Sequence, residues 1–171
     1  LYGIESGSQK VLYYLKKGTK IEQIKRSIHI TKEAGISPAG FFMMGCPGET
    51  KEDIEKTIRF SQELELDDFH ISFLTPHPGS KLYNVAEKYG TLNKDWKKMS
   101  GWLPVYVPYD LQVEDLETLS KKAFKQFYFR PRIIISYILR IRSWGHVKAF
   151  ISGFFALLEW LIVSKKKKLE A

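Results

Sequence analysis

Three apolar stretches are separated by segments in which apolar residues recur every third or fourth position, and this pattern sets the expected order of elements. Leu1 to Ile4 reads as the end of a strand. Ser8 opens a short helix carrying Val11, Leu12 and Leu15, which Gly18 ends. Thr19 caps a second helix whose Ile21, Ile24, Ile28 and Ala34 fall on or near one face, and Gly35 stops it. Ile36 to Met44 is nearly continuous apolar sequence, as in a parallel strand buried on both faces. Thr50 opens a third helix through Ile54, Ile58, Phe60 and Leu64, with Asp53 standing where a capping box would place Glu or Gln. Asp67 and Asp68 form a turn, and Phe69 to Leu74 is a third strand. Strand, helix, strand, helix, strand at this pace predicts βαβ units and a parallel sheet.

Beyond the third strand the pattern loosens. Pro76, Pro78 and Gly79 break it, Lys81 to Tyr89 is helical, and Thr91 to Tyr109 reads as an irregular loop or a short extension. Helical spacing returns from Val113 to Phe129. Pro131 punctuates it, an apolar run follows from Ile133 to Arg142, and Val147 to Val163 forms a last apolar helix. Three segments result: strands and helices over 1–83, a loop and helical extension over 84–130, and a basic amphipathic tail over 131–171.

Composition narrows the class. The 171 residues are 44% hydrophobic and 27% charged, which suits a globular chain with a core. The net charge of +8 permits an anionic partner, and the positive residues gather late, at Arg130, Arg132, Arg140, Arg142 and Lys165 to Lys168. One cysteine, Cys46, excludes an internal disulfide, and a reducing cytosol is the expected compartment. The chain opens inside a strand without a start Met, as a piece of a longer protein would. Val147 to Val163 barely reaches across a bilayer and contains Lys148 and Glu159, so spanning is disfavoured. The tail either lies on an anionic leaflet, peripheral to the membrane, or packs on the domain before it. Terminal basic residues without a recognisable binding fold do not suggest nucleic acid.

Candidate chemistry sits at the strand exits. Glu5 and Ser6 follow the first strand, and a carboxylate there can accept two hydrogen bonds from a ribose diol or serve as a local turn acid. Gly45-Cys46-Pro47-Gly48-Glu49-Thr50 follows the second; its glycines let backbone approach a flat ligand, or simply make a tight turn. Thr75-Pro76-His77-Pro78-Gly79-Ser80 follows the third, and His77 between its prolines faces the same edge. His29, His70, His77 and His146 show no metal-ligand spacing around Cys46, which reads as a small packing residue. No Ser-His-Asp set or phosphate loop is present, and no catalytic residue is assigned.

Taken together, Gly3-Ile4-Glu5-Ser6-Gly7-Ser8-Gln9, Lys17-Gly18, Ala34-Gly35-Ile36, Gly40 through Thr50 and the Pro76 to Ser80 turn resemble the second half of a radical SAM barrel. The likeness is greatest to the branch in which a cobalamin-binding domain comes first. The resemblance implies an α/β fold: the C-terminal half of a partial (β/α)6 TIM-type barrel with a mostly helical C-terminal extension. It implies that Glu5 and Ser6 contact the ribose and methionine portions of S-adenosylmethionine (SAM). Met43, Gly45, Cys46 and Pro47 would pack on adenine, and Thr75 and His77 would complete the adenine or substrate wall. It also implies a [4Fe-4S] cluster in the parent protein that cleaves SAM reductively to a deoxyadenosyl radical. The Cys-x-x-x-Cys-x-x-Cys loop that holds that cluster is not in this sequence, so no metal ligand is assigned, and the piece alone is expected to be inactive and poorly stable. Cobalamin is a further cofactor of the implied parent, a methyltransferase or cyclase, and the apolar basic tail suggests a lipid-like substrate. The competing reading is a non-catalytic interaction or membrane-docking module.

Overall fold

The computed structural model describes residues 1–139 and 141–166, with side chains described to residue 159; Arg140 and the end of the lysine block lie outside. The order is β1 (Tyr2–Glu5), α1 (Gln9–Tyr14), α2 (Ile21–Glu33), β2 (Ala39–Met44), α3 (Lys51–Glu63), β3 (Asp68–Phe73) and α4 (Lys81–Val85). Then follow β4 (Gly90–Leu92), β5 (Tyr106–Pro108), α5 (Val113–Tyr128), α6 (Pro131–Leu139) and α7 (Trp144–Lys166). The chain divides into two compact units, Leu1–Phe127 and Tyr128–Ala171.

In the first unit, β1, β2 and β3 form a parallel sheet in that order, so the predicted βαβ units are present. Alternate residues of the strands are buried: Ile4, Phe42, Met44, Phe69, Ile71 and Phe73. Helices cover that face. α3 contributes Ile54, Ile58 and Phe60, and α5 lays Phe124 and Phe127 on Phe69, with ring centroids 5.6 and 4.9 Å away. The opposite alternation, Gly3, Phe41, Met43, His70 and Ser72, lies on a face that is largely open. Phe41 there is 40% exposed and stacks on His70 at 4.6 Å. The expectation of a β2 buried on both faces is thus corrected: an apolar run marks a strand but does not say how many faces are covered.

Several boundaries also move. β2 begins at Ala39, and Ile36 is exposed. Lys20, not Thr19, is the N-cap of α2, because the Gln9 side chain accepts from the Ile21 amide and Gln23 accepts from the Lys20 amide. The segment expected to be an irregular loop contains the antiparallel pair β4–β5, two three-residue strands far apart in sequence. Around that pair Leu74, Ala86, Leu92 and Tyr106 form a small cluster that packs on Met43, Leu82 and Tyr83. The Phe73 amide also donates to the Gly101 carbonyl at 2.7 Å, which occupies part of the β3 edge.

In the second unit α6 and α7 run antiparallel. Tyr137 meets Phe150 and Phe129 meets Phe154, with ring centroids 6.1 and 6.3 Å apart. Among the described residues no helix is long and apolar enough to cross a membrane.

Candidate functional site at the strand exits

Because all three strands of the sheet are parallel, their C-terminal ends lie along one edge, and the loops that follow them are neighbours there. The first loop departs abruptly. Glu5 has φ +69°, a left-handed conformation that costs a side-chain-bearing residue energy, and the β1–β2 register shifts between Gly3 and Glu5. The turn places the Glu5 carboxylate over Gly3 on the open sheet face, where Oε1 accepts from Lys17 Nζ at 2.9 Å.

Ser6 goes the other way. It is fully buried, and its Oγ lies 2.9 Å from Thr57 Oγ1 of α3. Thr57 Oγ1 also accepts from the Gly7 amide at 3.0 Å. Ser8 Oγ donates to Asp53 Oδ1 at 2.9 Å, Lys10 Nζ pairs with Asp53 Oδ2 at 2.6 Å, and the Thr50 amide donates to the same oxygen. Asp53 therefore completes the capping box that the sequence left imperfect, with Thr50 Oγ1 accepting from its amide. Burial pushes the Asp53 carboxyl up, but the bonds from Lys10, Ser8 and the Thr50 amide outweigh it and hold it at about 2. The Ser6–Ser8 segment is thus bolted to α3, while Glu5 faces the open side.

The second loop is a β-turn closed by the Glu49 amide on the Cys46 carbonyl at 3.0 Å. Pro47 supplies the fixed φ of the first central position, and Gly48 takes φ +69° at the second, as a type II turn requires. Glu49 folds back beneath this turn. Its Oε2 accepts from the amides of Gly45 at 2.7 Å and Cys46 at 3.0 Å, while its buried Oε1 has no partner. Burial raises its carboxyl to about 7 against the pull of those two amides. Cys46 is fully buried, and burial together with the nearby Glu49 and Glu5 charges keeps it a thiol, which suits packing rather than nucleophilic attack. Met43 is half-buried on the open face, and Pro47 is half-buried in the turn.

In the third loop Thr75 Oγ1 donates to the Phe73 carbonyl, and Pro76 is buried. His77 is exposed, and its carbonyl accepts from Ser80 Oγ at 2.7 Å. Glu5, Gly45 to Pro47, Thr75 and His77 all stand at the same sheet edge. Three groups were not singled out from sequence: Glu49 beneath the turn, the Asp53 hub, and the Phe41–His70 stack on the open face. For Glu49 a signal existed in its spacing of four from Gly45. For Asp53 its position three residues after Thr50 signalled the capping box, whereas its links to Ser8 and Lys10, and the Phe41–His70 stack, depend on which segments meet.

Residues 1–61 match the model of the radical SAM superfamily. An uncharacterised methyltransferase of Pyrococcus horikoshii is 33% identical over 135 residues, 78% of this chain and 29% of that protein. A tRNA-2-methylthio-N(6)-dimethylallyladenosine synthase of Buchnera aphidicola is 27% identical over 145 residues, 74% of this chain and 31% of the synthase. The anaerobic magnesium-protoporphyrin IX monomethyl ester cyclase of Rubrivivax gelatinosus is 28% identical over 159 residues, 89% of this chain and 28% of the cyclase. The chain thus spans less than a third of the length of each of these relatives. Over its matched residues, with an α/β fold built on a parallel sheet, it belongs to the radical SAM superfamily.

Proposed function

We propose that residues 1–83 form the SAM-binding half of a radical SAM enzyme's barrel, the parent being a cobalamin-dependent methyltransferase or cyclase with a lipid-like substrate. The observation that carries the SAM assignment is the strained Glu5. A non-glycine residue held at φ +69° puts its carboxylate on the open sheet face, at the edge where the Gly45–Glu49 turn also ends. In that position Glu5 would accept from the ribose hydroxyls, with Lys17 holding the carboxylate in place. The Met43 side chain and the Gly45–Pro47 backbone would line the adenine, and Thr75 and His77 would border it. Ser6 would serve from behind, by fixing the Glu5 exit to Thr57. SAM, when bound, supplies the radical chemistry of such enzymes; these residues bind it, orient it and keep water away.

The [4Fe-4S] cluster does not fit the residues of this chain. There is one cysteine, it is buried as a thiol, and no group of three or more possible ligands occurs among the described residues. The role of these residues is confined to SAM itself. Cobalamin and the lipid-like substrate enter through the resemblance and the tail, and no residue is assigned to them.

The test is calorimetric titration of the full-length protein with SAM, for wild type and Glu5→Ala. Losing a charge-assisted pair of hydrogen bonds should weaken binding by roughly tenfold to a hundredfold. Unchanged affinity with an unchanged fold removes Glu5 from the site and with it the proposal.

A further inference from the structure

We infer that the α6–α7 unit is a docking device for an anionic lipid bilayer, lying along the membrane surface and not through it. The first observation is charge. In residues 128–171 nine Lys and Arg stand against two Glu, a net +7 of the chain's +8. The first unit is therefore almost neutral, and the attraction to an anionic partner is confined to the second. Glu159 is the sole acid among the described residues of that unit.

The second observation is exposed apolar surface on the same two helices. Ile134, Ile135, Ile138 and Leu139 of α6 and Trp144, Ile151, Phe154 and Phe155 of α7 are all exposed, Leu139 and Trp144 by more than 70%. Water-facing helices of a globular domain carry polar side chains at such positions, and a patch this dense marks an interaction surface.

The third observation joins the two. Arg132, Ile135 and Leu139 fall on one stripe of α6, spaced three and four apart, and all are exposed. Trp144, Lys148, Ile151 and Phe155 fall on one stripe of α7 at spacings of four, three and four, again all exposed. Each stripe sets a basic residue within an apolar row. That is the arrangement of an interfacial helix, in which the apolar side chains enter the acyl boundary while Lys and Arg reach up to anionic headgroups and an indole sits at the interface. α7 is about 35 Å long at the usual rise per residue, and the sequence continues through Lys165 to Lys168, so its far end also carries positive charge. A protein partner could cover the apolar row, but the excess of positive charge on both helices, against Glu159 as the sole described acid, matches an anionic headgroup layer.

Flotation of the full chain with vesicles tests this, with phosphatidylcholine alone compared with phosphatidylcholine containing about a third phosphatidylserine. The chain should float with the serine-containing vesicles, and raising salt to about 0.5 M should release most of it, since the Debye length falls to a few ångströms. Two triple variants separate the contributions: Arg132→Glu, Arg142→Glu, Lys148→Glu; and Ile135→Ser, Leu139→Ser, Trp144→Ser. Each should bind at least about tenfold more weakly, with unchanged circular dichroism, because basic and apolar contacts add at an interface. The wild-type lipid and salt comparison stands alone should either variant fail to fold. Equal binding to neutral vesicles, no binding to either, or retention after carbonate extraction as a spanning segment would each overturn the inference. So would binding of bulk tRNA with no vesicle binding. None of these outcomes depends on SAM, so failure here leaves the Glu5 assignment untouched.

Discussion

Glu49 Oε2 accepts from the Gly45 amide at 2.7 Å, so the last residue of the second strand-exit turn holds the first. The carboxylate has no route to water, and its other oxygen has no partner. The arrangement stiffens the turn at the cost of burying a group that ionises near neutrality.

The sign of the resulting pH dependence is definite. The Glu49 carboxyl ionises at about 7 in the folded chain and at 4.5 as a free side chain. The folded state therefore binds the extra proton between those values, and stability falls as pH rises through them. The full penalty above pH 7 is about 3 kcal/mol. Glu49→Gln keeps an acceptor for the two amides and removes the charge. Urea unfolding should show the variant gaining on wild type between pH 5 and pH 8; parallel stability curves would show that Glu49 does not titrate in this range. Glu49→Ala, which strands both amides, should cost about 2 kcal/mol or more at either pH.

Asp53 has the opposite linkage. Its carboxyl, held at about 2 against a usual 3.8, contributes stability that is present above pH 4 and lost as pH falls through 2. The contribution is about 2 kcal/mol at most, since Lys10 is 45% exposed and water screens that pair. Asp53→Asn should flatten the acid limb of the stability profile and lower the melting temperature at pH 7. A steep acid limb retained in the variant would place the acid sensitivity elsewhere.

Gly7 marks the closest approach of the first loop to α3. A Cβ there would lie 2.5 Å from Phe60 Cβ and 2.8 Å from Thr57 Cα. Neither neighbour is the end of a flexible side chain, so α3 would have to move and the Ser6–Thr57 bond would stretch. Gly7→Ala should cost about 3 kcal/mol, read by thermal or urea denaturation. A variant as stable as wild type would mean that α3 slides freely against β1.

Tyr106 offers a contrast. Its ring is fully buried in the cluster beside β4, its hydroxyl has no hydrogen-bond partner, and burial pushes the phenol up to about 12. Tyr106→Phe removes an unpaired polar atom and should leave stability unchanged or raise it by about 1 kcal/mol. A clear loss of stability would reveal a partner for that hydroxyl.

The linear pattern determined whatever depends on neighbours along the chain. Alternating apolar runs and helical spacings placed the three parallel strands and their helices, because burial of a strand or a helix stripe is written into periodicity. Pro47-Gly48 determined its turn, since one residue fixes φ and the other accepts a positive value at no steric cost. The concentration of charge in residues 128–171 was equally legible, being only a count. Tertiary structure decided what distant segments do to one another. It sent Ser6 to α3 and Glu5 to the open face, though they are adjacent, because successive side chains at a strand exit leave on opposite sides. It made Asp53 the hub joining Ser8, Lys10 and Thr50, and it paired β4 with β5 across a segment with no strand-like alternation. Those outcomes rest on which surfaces meet, and a sequence records the meeting only after the fold has made it.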